Sequence, residues 1–385
     1  MSGKKSFVVS GIHYERGEHV NILISDGHVK EVSASPGRES DALYVAPGLI
    51  DNQTNGYVGI NFQDELFSVE RLRIAARSIW KDGVTTFIPT VVTESRENLL
   101  RNFRVLAKVC RDDYMAGSVP GFHLEGPYIS PEKGYYGCHL AEQIRKPSWE
   151  EFMELQEAAE GKIMIVTIAP ELEGAIDFIR RCTESGVKVS IGHTNATTEQ
   201  IYMAVEAGAT LSTHLGNGCA RIINRHRNPL WPQLASDRLT PSVIADGHHL
   251  LPEELTVFFK AKGEHNIILT SDVTHLAGLS PGEYSYMGSR VVMNSNGLIF
   301  NPSLNCLAGA SAPLKKGIQT LVSFTGCSLK QAVNAASANV ARVLGLNDRG
   351  TLEPGKRADL ILFELEGDNQ VVIKETYIAG VSRTG

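Results

Sequence analysis

Residues 190–218 read SIGHTNATTEQIYMAVEAGATLSTHLGNG, and they show one pattern twice: a short apolar run that leads into a histidine. His193 follows the first run and His214 follows the second. Between them, Thr197 and Gln200 have the spacing of a helix capping box. A strand, a helix and a second strand in this order predict two parallel neighbours whose carboxyl ends carry the histidines.

The same alternation extends along most of the chain. Eight apolar or β-branched runs, each followed by a turn and a stretch with helical spacing, predict strands that are buried on both faces. The runs are YVAPGLID, VTTFIPTVV, SVPGFHLEG, KIMIVTIAP, VKVSIGHT, ATLSTHLG, PSVIADGHH and NIILTSDV. Eight such units predict an α/β fold of the (β/α)8 TIM barrel type. We expect this barrel to span residues 46–349.

The two ends of the chain do not follow the barrel pattern. Residues 1–45 contain VNILISDGHVKEV, in which an Asp-Gly pair between apolar runs indicates a hairpin. Residues 350–385 contain the strand-like runs RADLILFEL and QVVIKETYIAG. These features predict a small β-sandwich domain built from both termini. A further β insertion, EYSYMGSRVVMNSNGLIF, is predicted after the eighth barrel strand and before helices at 308–325 and 328–344.

Composition limits the class of protein. The 385 residues include 42% hydrophobic and 21% charged residues, with a net charge of −6. This balance is typical of a globular protein and lacks the basic surface that nucleic-acid binding requires. No apolar run approaches the roughly 20 residues of a membrane span. The six cysteines show no CxxC spacing and no signal-like segment opens the sequence, so we expect a cytoplasmic protein. From the charge balance and the short apolar runs, we expect it to bind neither nucleic acid nor membrane.

Polar residues follow the predicted strands at the end where TIM barrels form their active sites. They are Gln53 and Asn55 after the first strand, Glu125 after the third, His193 after the fifth, His214 after the sixth, His249 after the seventh and Asp272 after the eighth. One carboxylate and two imidazoles leave a fourth position open, as in a catalytic zinc site. We therefore predict that Glu125, His193 and His214 hold one divalent cation, zinc by preference and iron or cobalt as alternatives. Asp272 is then placed to move a proton.

Seven motifs carry a resemblance to a known family. In chain order they are APGLIDNQTNG, GFHLEGPYIS, SIGHTNAT, THLGN, IADGHH, TSD and CLAGAS. They resemble the N-acetylglucosamine-6-phosphate deacetylases of the amidohydrolase superfamily; HLEGP and ADGxH are characteristic of this branch. The resemblance implies a C–N hydrolase of amino sugar metabolism. It would remove acetyl from an N-acetyl amino sugar, above all N-acetylglucosamine 6-phosphate, giving the amino sugar phosphate and acetate.

The resemblance also implies a role for individual residues. The metal ligands would be Glu125, His193 and His214, and Asp272 would be the catalytic acid and base. His249 would bind the substrate and polarise its carbonyl. The remaining substrate contacts would come from Gln53, Asn55, His139, Asn217, Gly218, Arg225, Arg227, His275 and Leu307. A homodimer is implied as well, in which an arginine reaches the neighbouring subunit's site.

Two departures from the family pattern bear on metal and substrate. Most amidohydrolases end the first strand with His-x-His, which holds a second metal, but this chain has Gln53 and Asn55 there. Amides are poor zinc ligands, so we expect one metal. The family usually has an aromatic residue and Asn-Ala after THL, then a phosphate-binding arginine before an acidic residue and proline. Here the segment reads GNGCARIINRHRNP, in which spacing favours Arg225 and the proline context favours Arg227.

Other functions remain open at this point. The substrate could be a different N-acyl amino sugar or one without phosphate, because His275 stands where the family has a smaller residue. The chain could also be a deaminase or cyclic amidase on the same barrel, although those enzymes usually keep His-x-His. A scaffold protein with an inactive barrel is a third reading, although such proteins usually lose a metal ligand or the final aspartate.

Overall fold

The computed structural model describes residues 6–37, 43–115 and 117–384. Residues 1–5, 38–42 and 385 of the predicted terminal domain lie outside the described residues. In chain order the strands are β1 (Ser6–His13), β2 (His19–Ser25), β3 (His28–Ala34), β4 (Tyr44–Pro47), β5 (Leu49–Thr54), β6 (Gly56–Tyr57), β7 (Ile60–Asn61), β8 (Val84–Val92), β9 (Phe122–Glu125), β10 (Ile163–Ile168), β11 (Lys188–Ile191), β12 (Leu211–Ser212), β13 (Thr240–Ile244), β14 (Ile268–Thr270), β15 (Gly282–Tyr286), β16 (Ser289–Met293), β17 (Ile299–Asn301), β18 (Cys306–Leu307), β19 (Leu360–Glu366), β20 (Gln370–Ile378) and β21 (Val381–Ser382). The α-helices are α1 (Val69–Lys81), α2 (Arg96–Cys110), α3 (Trp149–Ala158), α4 (Ala175–Glu184), α5 (Thr198–Glu206), α6 (Leu230–Ala235), α7 (Pro252–Lys262), α8 (Leu314–Thr325), α9 (Leu329–Ala335) and α10 (Ala338–Leu344).

Eight parallel strands form the barrel, in the order β14-β13-β12-β11-β10-β9-β8-β5. Backbone hydrogen bonds join the ends of its first and last strands: Asp272 N donates to Gln53 O at 3.1 Å, and Asn55 N donates to Val273 O at 2.8 Å. Each of the eight predicted runs overlaps one of these strands. The predicted (β/α)8 barrel is therefore confirmed.

The local sequence explains the barrel's elements. Every residue of β8, VTTFIPTVV, is buried, as expected for a parallel strand covered on both faces. Helix α1 buries Leu72, Ala75, Ala76, Ile79 and Trp80, one apolar face at helical spacing. The capping box of Thr197 and Gln200 is confirmed, and α5 begins at Thr198, directly after the capping residue Thr197.

No helix in the described part of the chain is long and apolar enough to cross a membrane.

A second sheet combines both ends of the chain in the order β21-β20-β19-β4-β1-β2-β3. The predicted Asp-Gly hairpin is confirmed, since Asp26 and Gly27 both have positive φ between β2 and β3. The run YVAPGLID divides at Gly48 into β4 of this sheet and β5 of the barrel. A Cβ atom at Gly48 would lie 2.2 Å from Thr85 Oγ1, so this crossing needs glycine. The predicted division between 45 and 46 falls inside β4; the domain boundaries stay a prediction.

The predicted β insertion is confirmed as the antiparallel sheet β15-β16-β17-β18. The following helices differ from the prediction. The first begins at Leu314 rather than 308, because the backbone of Ala310 pairs with the segment after β14: its N–H donates to Asp272 O, and its carbonyl accepts from Thr274 N. The second divides into α9 and α10. The carbonyl of Ala336, between them, accepts a hydrogen bond from Ile50 N of the barrel instead of continuing the helix.

Candidate active site

Three side chains from three strand ends converge on one point. Glu125 is the last residue of β9, and His193 and His214 each stand two residues beyond β11 and β12. The Oε1 atom of Glu125 lies 2.9 Å from Nε2 of His214 and 3.3 Å from Nε2 of His193. All three residues are buried, and their ligand atoms lie within 4.8 Å of one another, close enough to hold a metal ion. Burial acts to raise the pKa of Glu125, but the two imidazoles hold it well below its usual value, so the carboxyl group is charged.

The protein fixes which nitrogen of His193 faces the cluster. Nδ1 donates to the backbone carbonyl of Tyr135 at 2.8 Å, which turns Nε2 toward Glu125. The ring is also confined by Gly218, where φ is +63° and a Cβ atom would lie 2.9 Å from Nδ1. Any side chain at position 218 would therefore press on this ring. The Tyr135 carbonyl was not predicted, because the sequence does not show which backbone atom meets a histidine 58 residues later.

The backbone at the site is strained. His193, His214 and Asp272 have φ values of 49°, 29° and 49°. Residues other than glycine rarely adopt positive φ, and such conformations cost about 1–3 kcal/mol each. Surrounding hydrogen bonds maintain them: His214 N donates to Ser242 Oγ at 2.9 Å, and Asp272 N donates to Gln53 O at 3.1 Å. Strain at three strand ends that surround one point is typical of a functional site.

Asp272 is held by the two amides of the first strand. Its Oδ1 atom accepts from Gln53 Nε2 at 2.9 Å and from Asn55 Nδ2 at 2.8 Å. Burial and the charge of Glu125 raise the pKa of Asp272 to about 7, against the opposing effects of His214 and Asn55. A carboxyl group that titrates near neutral pH can both accept and donate a proton. Gln53 and Asn55, predicted as substrate contacts, thus also orient the proton-transfer group.

The Asn55 amide predicts a change in pH dependence. Because it stabilises the charged form of Asp272, Asn55→Ala is expected to raise the pKa of that carboxyl group. The acidic limb of kcat/KM against pH then moves to higher pH, since Asp272 stays protonated over a wider range. The profile of the variant is compared with wild type and with the control Asn347→Ala, an exposed amide. An unmoved acidic limb would assign that limb to another group.

His249 is anchored by an aspartate that was not predicted as a site residue. Its Nδ1 atom donates to Asp246 Oδ2 at 2.8 Å, and both side chains are buried. Burial acts to raise the pKa of Asp246, but the hydrogen bonds and charge of His249 lower it to about 2. The carboxylate therefore orients the ring and leaves Nε2, on the opposite edge, for a substrate. The motif ADGxH carried this signal, as Asp246 stands three residues before His249.

Asp246→Asn is expected to lower kcat by roughly 10- to 100-fold, the usual effect of losing a partner that orients a site imidazole. The metal content should stay normal, because Asp246 does not belong to the metal cluster. Asp246→Glu, which keeps the carboxylate, should recover part of kcat, whereas a purely structural role would make the two variants equally poor. Asp237→Asn, at an exposed position, is the control. Wild-type kcat in Asp246→Asn would contradict this positioning role.

Other predicted substrate residues lie around this centre. His139 is buried, with Nδ1 2.7 Å from Thr93 Oγ1 and its ring 4.4 Å from that of His193. The ring of His275 packs against that of Tyr286 in the β insertion, with the ring centres 5.6 Å apart and the planes tilted by 40°. Nδ2 of Asn217 and Nδ1 of His275 are buried atoms that have no hydrogen-bond partner among the described residues. Unpartnered buried donors of this kind are expected where a ligand completes the hydrogen bonding.

Comparison of the chain with known proteins agrees with a metal cluster at the strand ends of a barrel. Residues 44–383 match the amidohydrolase family. The chain belongs to the amidohydrolase family. This amidohydrolase is 31% identical over 373 residues to N-acetylglucosamine-6-phosphate deacetylase of Bacillus subtilis (strain 168), covering 94% of this chain and 92% of the relative. It is 29% identical over 362 residues to N-acetylgalactosamine-6-phosphate deacetylase of Escherichia coli O157:H7, covering 93% of each.

One solved structure is similar to this chain over almost the whole length of both. It is a mutant N-acetyl-D-glucosamine-6-phosphate deacetylase from Mycobacterium smegmatis in complex with N-acetyl-D-glucosamine-6-phosphate. The TM-score is 0.88 at 28% identity, covering 99% of this chain and 100% of that chain. The predicted resemblance and the predicted class, an amidohydrolase-type enzyme, are confirmed.

The two candidate phosphate arginines of the amidohydrolase lie in an exposed loop. Asn224 Oδ1 shapes this loop by accepting from the backbone N–H groups of His226 and Arg227, both at 2.9 Å. Trp231 Nε1 donates to the carbonyl of Arg225 at 2.8 Å. The side chains of Arg225 and Arg227 form no hydrogen bond or ion pair with another described residue, so both are free to contact a ligand. The choice between them stays a prediction.

A polar layer inside the amidohydrolase barrel was missed by the sequence reading. His123 precedes Glu125 by two residues on β9, so both side chains point to the same face of the strand. Its Nε2 lies 2.7 Å from Thr167 Oγ1, which lies 2.7 Å from Thr213 Oγ1. Ser190 Oγ continues the chain at 2.6 Å from Thr213. Uninterrupted apolar runs do not show which face points inward, so this network needed the fold.

Proposed function

We propose that this amidohydrolase removes the acetyl group from N-acetylglucosamine 6-phosphate and releases the amino sugar phosphate and acetate. One observation carries the proposal: a buried cluster of Glu125, His193 and His214 shares the barrel mouth with Asp272, whose carboxylate is held by two amides. The names of the relatives support the substrate class. The ligand set for a single metal favours hydrolysis of a linear amide over the deaminase and cyclic-amidase reactions of enzymes that carry His-x-His after the first strand.

The donor set fits a single divalent cation. One carboxylate and two imidazoles, all buried, are the ligands that catalytic zinc sites use, so we propose zinc, with iron and cobalt as alternatives. The amide nitrogens of Gln53 and Asn55 both point at Asp272, which agrees with one metal rather than two. When bound, the cation supplies Lewis-acid activation of water and of the acetamide carbonyl.

The side chains of this chain carry the proton transfers. Asp272 accepts a proton from the attacking water and delivers it to the amine nitrogen as the C–N bond breaks, which suits a carboxyl group whose pKa is raised to about 7. His249, held by Asp246 through Nδ1, acts as an imidazolium and donates from Nε2 to the acetamide oxygen as negative charge develops there. Because the same carboxylate serves water and amine, no second acid is required.

The segment after β12 suits an anionic substrate group. The buried Nδ2 of Asn217 is without a partner in the described structure, and Gly218 brings backbone close to His193. Arg225 and Arg227 follow in the exposed loop and offer charge-assisted hydrogen bonds, the strongest that proteins make to phosphate. We assign this segment to the sugar phosphate.

The proposal includes a homodimer in the cytoplasm. Ile222 is 93% exposed in the same loop as the arginines, and Trp231, in α6 directly after that loop, is 50% exposed. They form an apolar surface that a second copy would cover. All six cysteines are free thiols, which agrees with a reducing compartment. Light scattering of the purified protein tests the dimer; a monomer at micromolar concentration would contradict it.

N-acetylgalactosamine 6-phosphate is the second candidate substrate. A relative that acts on it, by name, is 29% identical to this chain, and the Gly216–Gly218 segment departs from the usual phosphate motif. The departure at Gly216–Gly218 concerns the segment proposed to bind the sugar phosphate rather than the deacetylation chemistry.

A substrate screen tests the proposal. Acetate release is measured for N-acetylglucosamine, N-acetylgalactosamine and N-acetylmannosamine, each with and without the 6-phosphate. We expect the highest kcat/KM for N-acetylglucosamine 6-phosphate, at least about tenfold above the unphosphorylated sugar, since charge-assisted hydrogen bonds contribute more than neutral ones. Equal rates with and without phosphate would contradict phosphate recognition. No acetate from any of the six compounds would contradict the deacetylase assignment itself.

A further inference from the structure

Two cysteines that are far apart in the sequence lie side by side at the active-site mouth. The Sγ atoms of Cys138 and Cys306 are 3.2 Å apart, although 168 residues separate them. The Cys138 thiol is also within 3.4 Å of the carbonyl oxygen of Leu307. Cys138 lies in the loop between β9 and α3, and Cys306 begins β18. Both are partly buried, so a small oxidant can reach them.

Each cysteine adjoins a segment of the active site. Cys138 precedes His139, whose ring packs 4.4 Å from that of the metal-cluster residue His193. Cys306 precedes Leu307, and three residues further Ala310 N donates to the carbonyl of Asp272 at 3.1 Å. The sulfur pair therefore joins the loop beside the metal cluster to the segment that supports the proton-transfer carboxylate.

We propose that Cys138 and Cys306 form a reversible disulfide that switches this enzyme off when a peroxide or a disulfide oxidant is present. The disulfide itself is independent of the substrate; its effect on turnover rests on the proposed deacetylase function. The modification would make the enzyme's rate depend on the redox state of its surroundings.

The reaction balances with hydrogen peroxide as the oxidant. The Cys306 thiolate attacks one peroxide oxygen, the O–O bond breaks, and hydroxide leaves and takes up a proton to become water. The sulfur of Cys138 then displaces the hydroxyl group from the resulting sulfenic acid, which leaves as a second water with the Cys138 proton. In total two thiols and one peroxide give one disulfide and two waters. A dithiol reductant reverses the change.

The electrostatics of the pair agree with this order of events. The hydrogen bond from Cys138 is the main influence that lowers the pKa of Cys306; Arg221 lowers it further, and partial burial opposes both. The same hydrogen bond and, to a smaller extent, burial raise the pKa of Cys138. The thiolate forms first on Cys306, and thiolates are the nucleophiles in such oxidations. Cys138 is then the thiol that resolves the sulfenic acid.

Closing the disulfide has to move parts of the active site. A disulfide bond is about 2.05 Å long, so the two sulfurs must approach each other by more than about 1 Å. His139 and Leu307 move with them, because each is the next residue in the chain. A displacement of about 1 Å near reacting groups can reduce the rate by about 10²-fold. We therefore expect inhibition rather than a silent modification.

The test uses the full-length, metal-loaded enzyme and the best substrate found in the screen. Wild type, Cys138→Ser, Cys306→Ser and the control Cys110→Ser, a partly buried cysteine elsewhere in the fold, are treated with hydrogen peroxide or with the thiol-specific oxidant diamide. Free thiols are titrated, cross-linked peptides are identified by mass spectrometry, metal content is measured, and each rate is compared with the untreated rate of the same variant.

The expected result is specific to the pair. Wild type falls from six free thiols to four, yields a peptide that links Cys138 to Cys306, and loses at least about tenfold in kcat/KM. Dithiothreitol restores the rate, and the metal content does not change. Cys110→Ser responds like wild type, whereas Cys138→Ser and Cys306→Ser keep their own untreated rates.

Two outcomes would overturn the proposal. Loss of thiols without the Cys138–Cys306 peptide would exclude the disulfide. Complete cross-linking with an unchanged rate would exclude the switch. The first outcome does not depend on which sugar is the substrate, because the cross-link is read from peptides. The second is measured with whichever sugar the screen shows to be turned over. A wrong sugar assignment is seen separately, in the screen of untreated enzyme.

Discussion

Asp272→Asn is expected to lower kcat by about 10²–10⁴-fold, the contribution of a positioned general acid and base. Asparagine has nearly the shape of aspartate but cannot accept the proton of the attacking water. Metal content should remain at the wild-type level, because the three ligand atoms belong to Glu125, His193 and His214. Acetate release and elemental analysis measure the two quantities. Asp237→Asn, an exposed aspartate, is the matched control.

Each contrary outcome for Asp272→Asn has its own meaning. Wild-type kcat in this variant would remove the proton-transfer role, despite the pKa of about 7 for the native carboxyl group. Loss of metal together with activity would place Asp272 among the metal ligands. A fall in kcat/KM that comes from KM alone would make Asp272 a substrate-binding residue.

The second large effect is expected from Glu125→Ala, which removes the only carboxylate of the metal cluster. The bound cation should fall well below one per chain, and deacetylation should become undetectable, because two imidazoles bind a divalent ion much more weakly than the complete set. Wild type stripped by a chelator should also lose activity and regain it when zinc is added. Glu125→Ala should not regain it at the same zinc concentration.

The control for the metal experiment is Glu157→Ala, which removes an exposed carboxylate from α3. It should keep both metal and activity. One metal per chain in purified Glu125→Ala would show that the cation does not bind at this cluster. Full activity after complete metal removal from wild type would contradict the metal-dependent mechanism.

The barrel could be predicted because its signal is local and repeated. A parallel strand covered on both faces must be apolar along its whole length, and β8 shows this directly in VTTFIPTVV. Strand count and order then determine where the carboxyl ends meet. That is why His193 and His214, 21 residues apart in the sequence, could be placed beside each other before any coordinates were known.

The contacts that orient the site could not be predicted in the same way. The amides of Gln53 and Asn55 meet Asp272 across 219 and 217 residues. The sequence predicts substrate contacts at both positions, where a second metal would otherwise bind. The strand boundary at Gly48, the division between α9 and α10 and the polar layer around His123 were also unforeseen. Each depends on a partner that is distant in the chain.

Local patterns in the amino-acid sequence are enough to predict the eight-unit barrel, the terminal β sheet, and the set of polar residues that stand at the strand ends. These follow from hydrophobic patterning and connectivity, which act over a few residues at a time. Three contacts are seen only in the folded chain: Asp246 anchors His249, the Tyr135 carbonyl selects the free nitrogen of His193, and Cys138 touches Cys306. Hydrogen bonds and sulfur contacts form over about 3 Å, so a pattern along the chain cannot specify them until closure of the barrel brings distant strand ends together.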